Sequence, residues 1–160
     1  MFRERTESTP ARNPDRNACS GPALGGERFR RALAGYPRSP RLLASLSKCL
    51  AAQGRTEEAL ECVFESLTLD PGQPALLLRA ADFLTLLDRC DEALRFCEHY
   101  QSLRPSSPRG YVRMGDCHLR RGNLWSAADA YFLALSRSPE NRLVKSRLRG
   151  VMRLCASPRG

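Results

Sequence analysis

"SLTLDPGQPALLLRAADFL", Ser66–Leu84, joins two apolar runs through Asp70-Pro71 and Pro74. Proline lacks an amide donor and disfavours helix at the residue before it, so this stretch ends one helix and opens another. Pro71 has counterparts: Pro37, Pro71, Pro105 and Pro139 follow one another at intervals of 34 residues. An interval held that strictly predicts an array of repeated helical units. Pro74 and Pro108 stand at the next helix starts, where the fixed φ of proline suits a first turn.

Three full units follow when the late proline is set at position 32: 40–73, 74–107 and 108–141. Each holds two helix-length apolar patterns. In the first, Leu43, Leu46 and Leu50 share a helical face, and Ala59, Leu60, Val63 and Leu67 share another after the turn. Gly54 and Gly122 stand in the first and third turns, where a helix end needs left-handed backbone, and Asp88 stands in the second.

These residues resemble the tetratricopeptide repeat (TPR), 34 residues with the pattern W-x2-L-G-x2-Y…A-x3-F…P. The third unit reads Tyr111-x2-Met114-Gly115-x2-His118, then Ala127-x3-Tyr131, Ala134 and Pro139. The first reads Leu43-x2-Leu46-Ser47-x2-Leu50, then Ala59-x3-Val63, Ser66 and Pro71, and the second Leu77-x2-Ala80-Ala81-x2-Leu84, then Ala93-x3-Cys97, Tyr100 and Pro105. The resemblance implies an all-α fold of helical hairpins stacked in a short right-handed superhelix. The small residues at two shared places, Ser47/Ala81/Gly115 and Ala59/Ala93/Ala127, let the helices of a hairpin approach closely. Tyr100 stands at a place that is usually small, so the second hairpin is expected to spread locally.

Outside the three units, residues 22–37 carry Phe29, Ala32, Leu33 and Pro37 in register and read as a degenerate leading half-repeat. Residues 142–155 read as a terminal covering helix whose stripe is Leu143, Val144, Leu148, Val151 and Met152. Residues 1–21 read as disordered or as an extension, and 156–160 as a tail.

The chain has 160 residues and net charge +9, unevenly spread. Residues 1–40 hold 8 basic and 4 acidic side chains, 41–105 hold 7 and 10, and 106–160 hold 11 and 3. A basic end suits an acidic partner or nucleic acid. Seven cysteines without a CxxC pair fit a reducing compartment. No secretory signal or span-length apolar run is read, so the expected location is the cytoplasm. Nothing resembles a catalytic motif, a phosphate loop or a zinc set, so neither enzyme activity, cofactor nor metal is expected. His118 reads as a half-buried packing residue, and most of the cysteines read as small buried hydrophobes. Glu57, Glu58, Glu61 and Glu65 read as a solvated outer face.

For function, the resemblance implies a concave groove lined by the first helices. Its expected lining is Arg41, Lys48, Leu78, Arg79, Asp82, Arg109, Val112, Arg113, Asp116, Leu119, Arg120 and Arg147. Arginines at position 6 (Arg79, Arg113, Arg147) would grip carboxylates of an extended peptide, with Leu78, Val112 and Leu119 taking its apolar side chains. The alternative pairs Arg79 with Asp82 or Asp116, and Arg113 with Asp116. Of the carboxylate-clamp pattern of some TPR domains, only Arg109 and Arg113 agree. Ala44, Lys48 and Arg79 fill places that hold Lys, Asn and Asn there. Trp125 is a candidate partner anchor. The expected function is a non-catalytic adaptor, scaffold or chaperone for a peptide or protein segment. Size and architecture are similar to those of small bacterial secretion and assembly chaperones. The alternative is nucleic-acid or acidic-surface binding through Arg137, Arg142, Lys145, Arg147, Arg149 and Arg153. Base-stacking aromatics are missing beside that patch.

Overall fold

A computed structural model describes residues 22–36 and 39–156. The expectations for residues 1–21, for Pro37 and for 157–160 lie outside the described residues. Among the described residues there are eight helices. They are α1 (Pro22–Gly35), α2 (Pro40–Ala52), α3 (Thr56–Leu69), α4 (Pro74–Leu86), α5 (Cys90–Leu103), α6 (Pro108–Arg120), α7 (Leu124–Arg137) and α8 (Arg142–Ala156). The helices α2–α3, α4–α5 and α6–α7 form packed hairpins; α1 packs on α2 and α8 on α7.

Local chemistry sets the ends. Proline opens α2, α4 and α6, and the hydroxyls of Ser39 and Ser107 accept from the backbone amides of Leu42 and Arg109, both at 3.4 Å. Each hairpin turn passes through left-handed backbone: Gly54 at φ 76°, Asp88 at 63° and Gly122 at 76°. Glycine meets this without a Cβ penalty, and aspartate is one of the few other residues that tolerate it. The turn then closes as Arg55, Arg89 and Asn123 donate back to Leu50, Leu84 and His118 at 3.0, 2.8 and 2.9 Å.

The small residues at the hairpin crossings are buried: Ser47, Ala59, Ala81, Ala93 and Ala127 are fully covered. Ser47 donates to the carbonyl of Ala44 at 2.9 Å, and Ser66 to that of Pro40 at 2.9 Å, so both hydroxyls are satisfied. One apolar core runs from Phe29 through Leu50, Val63, Leu77 and Leu84 to Cys97 and Cys117, and a second joins α6, α7 and α8 through Val112, Tyr131, Val144 and Val151. Covering one such aliphatic side chain stabilises by roughly 1.5–3 kcal/mol, which is why the apolar stripes, rather than helix propensity, hold the array.

Tyr100 packs at the next junction: Gly110 leaves the space in which its Cβ would lie 3.1 Å from the Tyr100 ring, and the phenol meets the Ser107 hydroxyl at 2.8 Å. One expectation needs correction. The stripe of α8 is only partly covered. Val144 and Val151 are buried and Leu148 is half-buried, whereas Leu143 and Met152 lie on its flanks and are exposed. The helix meets α7 along one narrow line, and those two residues lie to either side of it.

Candidate functional site: the charged face of the first helices

The first helices α2, α4, α6 and α8 carry the residues singled out by sequence, and α4 touches α6 directly. Position 6 holds arginine in three successive units and position 9 holds aspartate in two, so the two rows can meet across a junction. The guanidinium of Arg113 reaches back to α4 and donates from Nη2 to Asp82 Oδ2 at 3.0 Å. One repeat later, Arg147 of α8 donates from Nη1 to both carboxylate oxygens of Asp116 on α6 at 2.5 Å. Asp116 also accepts from the Tyr131 hydroxyl at 2.6 Å. Charge-assisted bonds of this kind are roughly twice as strong as neutral ones. Burial and the Asp116 carboxylate push the Tyr131 phenol above its ordinary 10.0.

Arg79 breaks the pattern. The residue one repeat back at position 9 is Lys48, a cation, so the acid is missing. The guanidinium instead donates to the Ala44 carbonyl at 3.0 Å and the Ser47 hydroxyl at 3.2 Å. Burial lowers its basicity, against a raising influence from Asp82 on the same helix. Arg113 is buried to a similar degree, but its bond to Asp82 and the charges of Asp82 and Asp116 overcome that burial and raise it. Neither of the pairings considered from sequence, Arg79 with an aspartate or Arg113 with Asp116, is the one observed. Each arginine reaches to the preceding unit.

The remaining residues divide. Lys48, Arg41 and Arg109 are exposed. Arg120 pairs with Asp88 at 3.3 Å, and Arg121, not singled out by sequence, pairs with Asp91 at 2.5 Å; both again reach back one unit. Leu78 and Val112 are buried and Leu119 is half-buried, so the expected apolar strip offers little surface to a ligand. Leu78 belongs to the first core and Val112 to the second, so their apolar area is used in packing. Trp125 lies apart, at the start of α7, and is 70% exposed.

The other chemistry-bearing groups pack. Cys90, Cys97 and Cys117 are buried, and Cys49, Cys62 and Cys155 are half-buried. The thiol of Cys97 is held well above its ordinary range by its hydrogen bond to Cys117 and by burial. His118 is half-buried, with Nδ1 covered and without a partner among the described residues, and burial followed by the charge of Arg121 lowers its basicity. Among the described residues no group of three or more His, Cys, Asp or Glu could hold a metal ion, and no helix is long and apolar enough to cross a membrane.

A family model described as "Tetratricopeptide repeat" matches residues 25–74, and solved TPR structures match over most of the chain. The chain is a TPR protein. The first TPR of Spaghetti (RPAP3), solved with the HSP90 peptide SRMEEVD, is 24% identical, with a TM-score of 0.68 over 74% of this chain and 94% of that one. MamA 41-end from Desulfovibrio magneticus RS-1 is 19% identical, with a TM-score of 0.77 over 84% and 76%. Both likenesses concern the fold. By sequence, the TPR chain is 32% identical over 105 residues to the Hsp70-Hsp90 organizing protein of Triticum aestivum, covering 66% of this chain and 18% of that protein. The chain thus spans about a fifth of that relative's length. Together the fold and these relatives support a protein-interaction module.

Proposed function

We propose that this TPR protein is a non-catalytic adaptor or chaperone that binds a peptide or protein segment on the face of its first helices, with a ligand carboxylate received at Lys48 and Arg79. The observation that carries this reading is the missing acid opposite Arg79. The ladder supplies Asp82 to Arg113 and Asp116 to Arg147, but it places Lys48 where the third acid would stand. Two cations at one end of the row leave a charge that a carboxylate would neutralise, through a planar guanidinium and a mobile ammonium. Exposed Arg41 and Arg109 extend the cationic surface for a longer acidic segment. Arg113 stands at a clamp position of some TPR domains but is engaged by Asp82, so the second carboxylate grip of that pattern is absent from this reading.

The relative solved with an HSP90 peptide makes acidic C-terminal tails a reasonable first class of ligand to try. The test is affinity capture from the native lysate, read by mass spectrometry, beside Lys48→Asp. That substitution gives Arg79 an internal partner and removes the excess charge while leaving the other rungs intact. A discrete protein retained by the wild type and lost by the variant supports the reading. Equal retention by both removes the carboxylate site from the first-helix face.

A further inference from the structure

The four first helices differ in what packs beside them. Each of α2, α4 and α6 has a second helix packed beside it, and among the described residues α8 has none. What that absence leaves uncovered can be read from the earlier repeats. On α3, Phe64 stacks against Phe96 of α5, ring centroids 5.5 Å apart at 17°, so neighbouring second helices touch at this place. Phe132 holds the same place in α7 two repeats later, where no further second helix packs among the described residues, and it is 68% exposed. Near it lie Trp125 and Leu133, also exposed. The corresponding residues are Asp91, Glu98 and His99 in α5, and Glu57, Phe64 and Glu65 in α3. The outer face is therefore mostly charged in the earlier repeats, whereas in the last one Trp125, Phe132 and Leu133 are exposed together with a single acid, Asp129.

The outer flank of α8 continues the surface. At the places where α2 buries Leu43, Leu46, Ser47 and Leu50 against α3, α8 carries Lys145, Leu148, Arg149 and Met152. Leu148 is half-buried, Met152 is 49% exposed, and the two cations are exposed, Lys145 with its ammonium 3.7 Å from a carboxylate oxygen of exposed Glu140. An open cavity of about 530 Å³ lies beside Trp125, between the α6–α7 turn and Leu154 and Cys155 of α8. Exposed apolar groups gathered at one end of a domain and rimmed by charge mark an interaction surface.

We propose that the outer side of α7 and α8 is a docking seat for an acidic amphipathic helix of another protein, lying where the second helix of a fourth hairpin would lie. Its apolar side chains meet Phe132, Trp125, Leu148 and Met152, and its acids meet Lys145, Arg149 and Arg153. The charge of the rim decides the occupant. A second copy of this chain would offer α1, the second-type helix at the opposite end, but α1 exposes Arg28, Arg30 and Arg31 against a single Glu27. Like charges across the contact oppose that pairing. Arg149 stands where Ser47, Ala81 and Gly115 permit close approach. It keeps the docked helix further out than in the internal hairpins and presents a guanidinium to it. This seat is separate from the first-helix face and does not depend on it.

The test is selection of displayed amphipathic helical peptides of roughly 15 residues on the wild-type protein, with polar positions drawn from Glu, Lys, Gln and Ser. Emission of Trp125, the sole tryptophan, reports binding. The expected result is enrichment of Glu-rich peptides, a saturable change in Trp125 emission, and loss of affinity by about tenfold or more in Phe132→Asp. Lys145→Glu/Arg149→Glu should reverse the preference toward Lys-rich peptides, and Lys48→Asp should leave binding unchanged, which separates this seat from the groove. Phe132 is exposed, so Phe132→Asp should unfold at the wild-type temperature, and that is measured alongside. The proposal is overturned if no peptide is selected, if acidic peptides are not preferred, or if Phe132→Asp binds them as tightly. It is equally overturned if sedimentation shows a wild-type dimer that Phe132→Asp dissociates, or if an oligonucleotide of about 20 residues displaces the peptides at about 0.15 M salt.

Discussion

The ring of Tyr131 occupies the space in which a side chain on Gly115 would have to sit: a Cβ there would lie 2.5 Å from Cε1 and 2.7 Å from Cδ1. Tyr131 cannot swing aside, because it is fully buried and its hydroxyl is bonded to Asp116. Gly115→Ala should therefore destabilise the protein by about 1–3 kcal/mol despite the better helix propensity of alanine. Gly150→Ala is the matched control. It lies within α8 with nothing within 4 Å of the added Cβ, and should stabilise by roughly 0.5–1 kcal/mol. Urea denaturation of the two variants checks both signs.

Asp116 accepts from two donors on two helices, so it joins α6 to α7 and to α8. Asp116→Ala strands the Tyr131 hydroxyl and the Arg147 guanidinium together and should cost about 1–3 kcal/mol. In Asp116→Ala/Arg147→Ala the stranded guanidinium is gone, and the combined loss should fall short of the sum of the single losses. A double-mutant cycle by chemical denaturation measures that coupling.

The same chemistry predicts the response of the other end of the row. Lys48→Asp should pair with Arg79 as Asp82 pairs with Arg113. The gain in stability should be modest, about 0.5–1 kcal/mol, because Lys48 is exposed and such pairs are screened. Thermal unfolding at low and high salt checks it: the gain should shrink as salt is added.

His118 gives a dependence on pH. Its folded basicity lies below the ordinary 6.5, chiefly through burial, so the unfolded chain binds the proton more readily. The contribution of this residue is therefore fully present above 6.5 and is lost as the pH falls through the lower folded value. Substituting His118→Gln should flatten the stability profile below 6.5, and denaturation midpoints measured across that window test the sign.

The architecture was legible because it rests on features that the chain repeats: prolines at one interval, small residues at the crossings, glycine or aspartate in the turns. Each has a backbone or packing reason that needs no knowledge of the partner helix. The charged face was legible in composition but not in connectivity. Arg79, Arg113 and Arg147 form an obvious row, yet which acid each meets depends on the offset between neighbouring first helices, and periodicity does not encode that offset. The same holds for Leu78 and Val112, which are buried. An apolar residue on a helix face can serve a ligand or the next helix, and the spacing is identical in both cases. Phe132 carries a readable signal of its own, an aromatic residue in register two repeats after Phe64.

The backward reach of the arginines also fixes the order of the units. Deleting 74–107 would keep every helix in phase, yet it would set Arg113 against Lys48 instead of Asp82. Duplicating that stretch would instead place Asp82 opposite a second Arg79. The repeats thus resemble links with distinct ends: the array tolerates growth in its middle better than excision, and its charges record which unit follows which.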